Sequence, residues 1–281
     1  MTETVTTYEP DNSLKKGYLR MFREIIDEIR NNRWLIYQLF RRDFFTTYGQ
    51  SIFGILWAFI IPIISVGTFV VLSASGVLAV GSLTVPYPVY ALLGLAFWQL
   101  FATGIVASSM SLVKAGTMIV KINFSKKALV ISSIGQTMVS FLIQLALALI
   151  FFVLYRVVPN VAILLVPILI IPIVLITLGL GLILSLLNGV VRDIGSFLPV
   201  LVTFLLFLTP ILYVKPTTGI VSQMATYNPL YYLVSVPRDL ALTGATTVWT
   251  GFLVSSILSV IIFVACLVAF HLTETRIAER I

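Results

Sequence analysis

The sequence predicts an all-α membrane protein with six transmembrane helices, an N-terminal amphipathic interface helix and a re-entrant helix pair before the last span. Three observations predict it. Apolar residues make up 59% of the 281-residue chain and charged residues 10%, far from the balance of a soluble domain. Several apolar runs exceed the ~20 residues that a helix needs to cross a hydrocarbon core. Between Phe44 and Val113 there is no Asp, Glu, Lys or Arg.

The chain divides into an arm (1–50), a membrane domain (51–270) and a short tail (271–281). Residues 1–13 are polar, contain Pro10 and lack periodicity, as expected of a loosely tethered terminus. No cleavable signal peptide is expected, because the first 40 residues are polar. From Leu14 a helical pattern sets in. Leu19, Phe22, Ile25, Ile26 and Ile29 recur on one face, and Arg20, Arg23, Glu24, Asp27, Glu28 and Arg30 on the other. Such a helix is too short and too charged to span and suits the membrane surface. Asn31-Asn32 mark a break, after which Trp34, Leu35, Ile36, Leu39 and Phe40 carry the apolar face to Arg41-Arg42-Asp43.

Spans are expected near residues 51–75, 88–113, 128–155, 161–187, 194–213 and 248–270. Pro62 is expected to bend the first, and Pro167, Pro172, Gly179 and Gly181 the fourth. Orientation follows from Lys and Arg. The arm carries eight, the 114–127 loop four, the 188–193 loop one and the tail two, against Arg156, Lys215 and Arg238 on the other side. Both termini are therefore expected in the cytoplasm. The same distribution explains the net charge of +7 without nucleic acid, since the basic residues flank spans and form no aromatic-interleaved patch.

Residues 214–248 do not read as an ordinary loop. Asn228-Pro229 is a strong helix start, because Asn caps and Pro accepts the first position. A helix from Pro229 to about Thr243, stopped by Gly244, would be roughly 22 Å long. That is too short to span, yet Leu230, Tyr231, Leu233, Val234, Val236 and Leu240 are too apolar for open solvent. A re-entrant helix paired with a shorter one over 217–226 is expected, ahead of a helix lying flat on the outer surface.

Chemistry is conspicuous by its absence. There is no G-x-x-x-x-G-K-[ST] to cradle nucleotide phosphates. The single histidine, His271, stands at the end of the last span, and the single cysteine, Cys266, lies within it. Catalytic and metal residues are therefore expected to be none. Spans nearly free of ionisable groups also argue against an ion-coupled transporter. A subunit powered from outside remains. The segment Lys114–Lys127 is basic with an apolar centre, Met118, Ile119, Val120, Ile122 and Phe124, suited to docking in another protein's cleft. Asn188–Gly195 forms a second tight cytoplasmic turn, carrying Arg192-Asp193.

The sequence here resembles the membrane permease subunits of ABC exporters that move lipid-linked polysaccharides, the O-antigen, capsule and teichoic-acid exporters. The matching pieces, in order, are Arg42-Asp43, Tyr48, Gly54, Leu56-Trp57 and Pro62; Phe97-Trp98-Gln99-Leu100-Phe101; Lys121-Ile122-Asn123-Phe124; Arg192-Asp193-Ile194-Gly195 with Pro199; Thr209-Pro210-Ile211-Leu212-Tyr213; and Asn228-Pro229 with Arg238. The chain departs from the family's usual pattern at Thr47 and Ser125, where Arg and Pro are common.

The resemblance implies a non-enzymatic subunit of the cytoplasmic (inner) membrane: a homodimer joined by two copies of an ABC ATPase, which carry ATP and Mg. It implies coupling through Lys121, Ile122, Phe124, Lys126, Arg192 and Asp193. It implies an external gate with Asn228, Pro229, Tyr231, Tyr232 and Arg238. For a lipid-linked glycan an aromatic path is chemically sensible, and Phe53, Trp57, Phe97, Trp98, Phe101, Phe204, Phe207 and Tyr213 are its candidates. Each single aromatic is equally at home facing lipid or an interface. Arg41, Arg42 and Lys127 are candidates for a lipid pyrophosphate, by charge-assisted bonds. The same architecture serves exporters of drugs or small lipids, which is the alternative reading. A secondary transporter or a membrane glycan enzyme is disfavoured by the missing intramembrane charges.

Overall fold

The computed structural model describes residues 18–49, 52–116 and 125–277. Among the described residues the structure is helical, with no strand. Two arm helices, α1 (Tyr18–Asn31) and α2 (Arg33–Gly49), meet at the expected Asn31-Asn32 break. A 3-10 turn at Gly54–Leu56 leads into α3 (Trp57–Ala74), followed by α4 (Tyr87–Lys114) and α5 (Lys126–Leu154). Two short turns, Val161–Leu165 and Val166–Leu169, precede α6 (Ile171–Val190). Then come α7 (Asp193–Leu208), α8 (Ile220–Tyr227), α9 (Pro229–Thr243) and α10 (Trp249–Ile277).

Among the described residues five segments are long and apolar enough to cross a membrane: 54–74, α4, α5, 161–190 and 249–274. The sixth expected span, 194–213, is shorter as a helix: α7 has 16 residues and stops at Leu208. Thr209 turns extended (φ −98°, ψ 121°), because the ring of Pro210 disfavours helical backbone at the preceding residue. Pro167 and Pro172 break the start of the fourth span into turns, as expected. Gly179 and Gly181 lie inside the continuous α6, where the missing side chains let neighbouring helices approach. A Cβ on Gly179 would stand 2.8 Å from Phe263 Cα on α10, and one on Gly181 2.5 Å from Ser108 Cβ on α4. Small residues that admit close backbones are how apolar helices pack where hydrophobic burial gives no preference.

The axis of the bundle is α4. Of its most apolar window 83% is buried, against 6% for α3. With α5, α6 and α7 packed around it, α4 is enclosed, while α3 shows Ile61, Ile64 and Val71 outward. The arm is docked as well as amphipathic. Met21 and Ile25 of α1 and Leu39 of α2 are buried in a cluster with Leu112, Leu129, Leu186 and Phe270 at one end of the bundle. Ile26 and Trp34 still face outward.

Candidate functional site: a polar groove between helices and its two ends

Along α4, residues Gln99, Thr103, Val106, Ala107 and Lys114 fall on one helical face. Gln136, Thr137 and Ser140 do the same on α5, and Pro199, Val202, Thr203 and Leu206 on α7. These three faces line an open groove of about 510 Å³, with Trp98 at its edge. Between Gln99 and Lys114 the groove runs ~22 Å along α4 at 1.5 Å per residue. Its polar groups are amides and hydroxyls, and Lys114 is its charge. Thr103 and Thr203 donate to their own helix carbonyls, Gln99 O and Pro199 O, so each hydroxyl oxygen keeps lone pairs for a further donor. The arrangement is chemically suited to a solute rich in hydroxyls that must be held weakly and at many points.

The aromatic candidates separate. Phe97, Trp98 and Phe101 are buried in the core of α4. Phe97 packs on Phe141 at 5.5 Å and Trp98 on Phe101 at 5.6 Å between ring centroids. Trp98 alone of the eight candidates lines the groove. Phe53 and Trp57 form an exposed edge-to-face pair at the start of the first span, and Phe204 and Phe207 are exposed on α7. Tyr213 is half-buried and donates its hydroxyl to Phe207 O at 2.7 Å. Sequence reasoning missed Gln136, Thr137, Ser140 and Thr203. The available signal was a glutamine and hydroxyls at helical spacing inside apolar spans, where polar side chains need a reason.

At the end of the groove expected to face outward, the chain after α7 folds back inside the protein. Thr209 and Ile211 are fully buried and Leu212 nearly so. Arg238 of α9, 4% exposed, donates Nη1 to Ile211 O at 2.9 Å, and its guanidinium lies 4.1 Å from the Tyr90 ring centroid. Non-helical backbone at such depth needs a donor from the protein, and Arg238 supplies one. Asn228 caps α9 by accepting from Leu230 N and donates Nδ2 to Thr209 Oγ1 at 2.8 Å. The helix starts at Pro229 and ends at Gly244 with φ +73°, as the sequence predicts. Tyr231 and Tyr232 stand edge to face at 5.0 Å, and Tyr232 donates to Thr226 O of α8. The gate candidates therefore form one contiguous group.

The opposite end is charged. Lys127 is completely buried, yet it is paired: Nζ bonds Glu28 Oε2 of α1 at 2.9 Å and also Glu274 Oε1 of α10. Lys126 Nζ donates to Glu274 O at 2.9 Å, and His271 Nδ1 stands 3.3 Å from Glu274 Oε1. Glu28, His271 and Glu274 converge closely enough for a metal, but the Lys127 ammonium already bonds both carboxylates. The lipid-pyrophosphate reading does not suit Lys127, whose charge is committed within the protein. Arg41 lies over the Phe45 ring and Arg42 pairs with Asp43; both arginines are exposed on α2. Arg192 and Asp193 are exposed at the turn between α6 and α7. Beneath them Asn188 donates to Ser109 O of α4 and accepts from Gly195 N at 2.8 Å. Lys121, Ile122 and Phe124 lie outside the described residues.

The chain is 25% identical over 222 residues to the O-antigen export system permease protein RfbA of Myxococcus xanthus, covering 74% of this chain and 84% of the relative. It is 26% identical over 213 residues to a protein of the same description from Klebsiella pneumoniae, covering 75% of this chain and 81% of the relative. The sequence pattern of the ABC-2 type transporter family matches residues 34–242, a stretch that contains the groove and the whole gate group. With a match over that much of its length, the chain belongs to the ABC-2 type transporter family.

Proposed function

We propose that this chain is the membrane subunit of an ATP-driven exporter that moves a lipid-linked polysaccharide or teichoic-acid-type polymer across the cytoplasmic membrane. The observation that carries the reading is the groove. A row of amides and hydroxyls runs among the apolar side chains of three helices and can exchange hydrogen bonds with a chain of sugar hydroxyls. The relatives described as O-antigen export permeases support it.

In this reading α7 is the sixth span, completed by the buried segment after it, and α8 and α9 form a re-entrant pair that closes the external side. The arm lies at the cytoplasmic surface, and both termini are cytoplasmic. Two copies of the chain complete the path, with the bare α3 available to the second copy or to lipid. ATP and Mg bind to two separate ATPase subunits, which engage the 114–127 segment and the Arg192-Asp193 turn.

The test is co-expression with the cognate ATPase, purification and reconstitution. A stable four-subunit complex, ATP turnover that needs the ATPase, and glycan delivery to the far side of the vesicle are expected. ATP hydrolysis by this chain alone would end the reading. So would transport of amphiphilic drugs with no glycan delivery, which would establish the alternative. Arg192→Ala is expected to leave the complex assembled and to separate ATP turnover from export.

A further inference from the structure

Beside the gate lies a second cavity, of about 320 Å³. Its walls come from the loop before α4 (Ser82, Thr84), from α4 (Tyr90), from α9 (Asp239) and from the loop before α10 (Thr246, Thr247). That size is at the lower end of the ~300–1,000 Å³ range of small-molecule sites. It suits a single sugar ring or a short piece of chain, not a folded polymer.

Its chemistry is specific. Buried Arg238 donates Nε to Asp239 Oδ1 at 2.9 Å, which fixes the carboxylate's orientation. Oδ2 has no protein partner among the described residues. Asp239 is about one-third exposed, with a side-chain exposure of 31%, so a solute can reach it. The hydroxyls of Ser82, Thr84 and Thr247 likewise have no hydrogen-bond partner among the described residues, and all three residues are exposed. Leu83, Val85 and Leu242 add apolar surface for the C–H face of a ring.

Charge decides the class of ligand. The guanidinium of Arg238 pairs with the carboxylate at 2.9 Å, so the two charges offset each other and leave a weak site for a metal cation. A carboxylate is a poor receiver of an anion. What remains is a neutral polyol whose O–H groups donate to Asp239 and exchange hydrogen bonds with the surrounding hydroxyls.

We infer that this pocket binds a neutral sugar residue on the external side, next to the gate, with Asp239 as the acceptor that orients it. The inference rests on the glycan-export reading for its biological ligand and on the orientation proposed with it for its side of the membrane. It gives the emerging chain a holding point beyond the groove, so that outward progress is not lost when the path resets.

The test is saturation-transfer NMR on the full chain in nanodiscs, with D-mannose, D-galactose, L-rhamnose and N-acetyl-D-glucosamine as probes. At least one sugar is expected to receive saturation. Asp239→Asn is expected to weaken its binding about tenfold or more, the loss of one charge-assisted acceptor. Thr247→Val, which leaves the Arg238 pair untouched, should weaken it less. Transfer unchanged in both variants but lost in Gln99→Ala/Gln136→Ala would place sugar in the groove alone and overturn the inference while leaving the export reading intact. No transfer from any sugar would also overturn it. Sugar binding that depends on Asp239 in a chain that exports no glycan would instead uphold the pocket and remove the export reading.

Discussion

Lys127 Nζ lies 2.9 Å from Glu28 Oε2, and the two residues are 99 positions apart in the chain. One belongs to the first turn of α5, at the end of the segment read as a coupling element, and the other to the arm helix α1. Glu274 of α10 closes the group from a third direction. An ammonium removed wholly from water is tolerated only when paired this closely. The arm, the start of α5 and the end of α10 are thus tied at one point, where force on the 114–127 segment would arrive.

Removing the cation should therefore be costly. Lys127→Met leaves two carboxylates facing each other without a counter-charge, and is expected to destabilise the protein by about 3 kcal/mol. Glu28→Gln, at the more exposed partner, should cost about 1 kcal/mol. The double variant should lose less than the two single losses added together, because the charges are coupled. Thermal unfolding of the four proteins in detergent measures this, and strict additivity would refute the coupling.

Helix contact without hydrophobic selection gives a second expectation. Gly179→Leu would drive a side chain into the backbone of α10 at Phe263, where even a Cβ stands 2.8 Å from Cα. The helices must separate along their length, so loss of the folded protein or a cost above about 3 kcal/mol is expected. Gly67→Leu, in α3 with nothing within 4 Å of a Cβ, is the matched control and should fold normally. Equal yields of the two variants by size-exclusion chromatography would contradict the packing described.

Much of this fold is legible in the sequence, and the reasons differ by element. Long apolar runs announce the spans through length alone, which is why α4, α5 and α10 fall where expected. The cap at Asn228 and the stop at Gly244 are local chemistry, so α9 is legible at both ends. The orientation of Phe97 and Phe101 is not, because α4 is apolar on most of its circumference and no face stands out. Lys127 looks like a topology signal beside Lys126. Its partners come from distant helices, and no spacing rule brings Glu28 and Glu274 to it. The groove is half visible: Gln99 sits within the motif Phe97-Trp98-Gln99-Leu100-Phe101, where aromatics outnumber it.

The groove's role separates cleanly from stability. Gln99→Leu and Gln136→Leu replace amides on a half-buried wall without opening a void. Each should leave the melting temperature within a few degrees and lower glycan export about fivefold, the loss of one ordinary hydrogen bond to substrate. Export is read as surface glycan in complemented cells, normalised to membrane-inserted protein. Unchanged export in the double variant would show that substrate does not use this groove.

Asn188 joins the turn that carries Arg192 to the central helix, through Ser109 O on α4 and Gly195 N at the start of α7. It is buried, with 1% of its surface exposed, so Asn188→Ala strands a carbonyl and an amide out of reach of water. The expected cost is about 1–3 kcal/mol. The effect on function should exceed the effect on fold, because a loosened turn still meets the ATPase but no longer pulls on α4. ATP turnover by the assembled complex should then persist while export falls, and Asn188→Asp should not restore it, since a carboxylate cannot donate to Ser109 O. If export and ATP turnover fall together in proportion to lost protein, Asn188 is a packing residue and the turn transmits nothing through it.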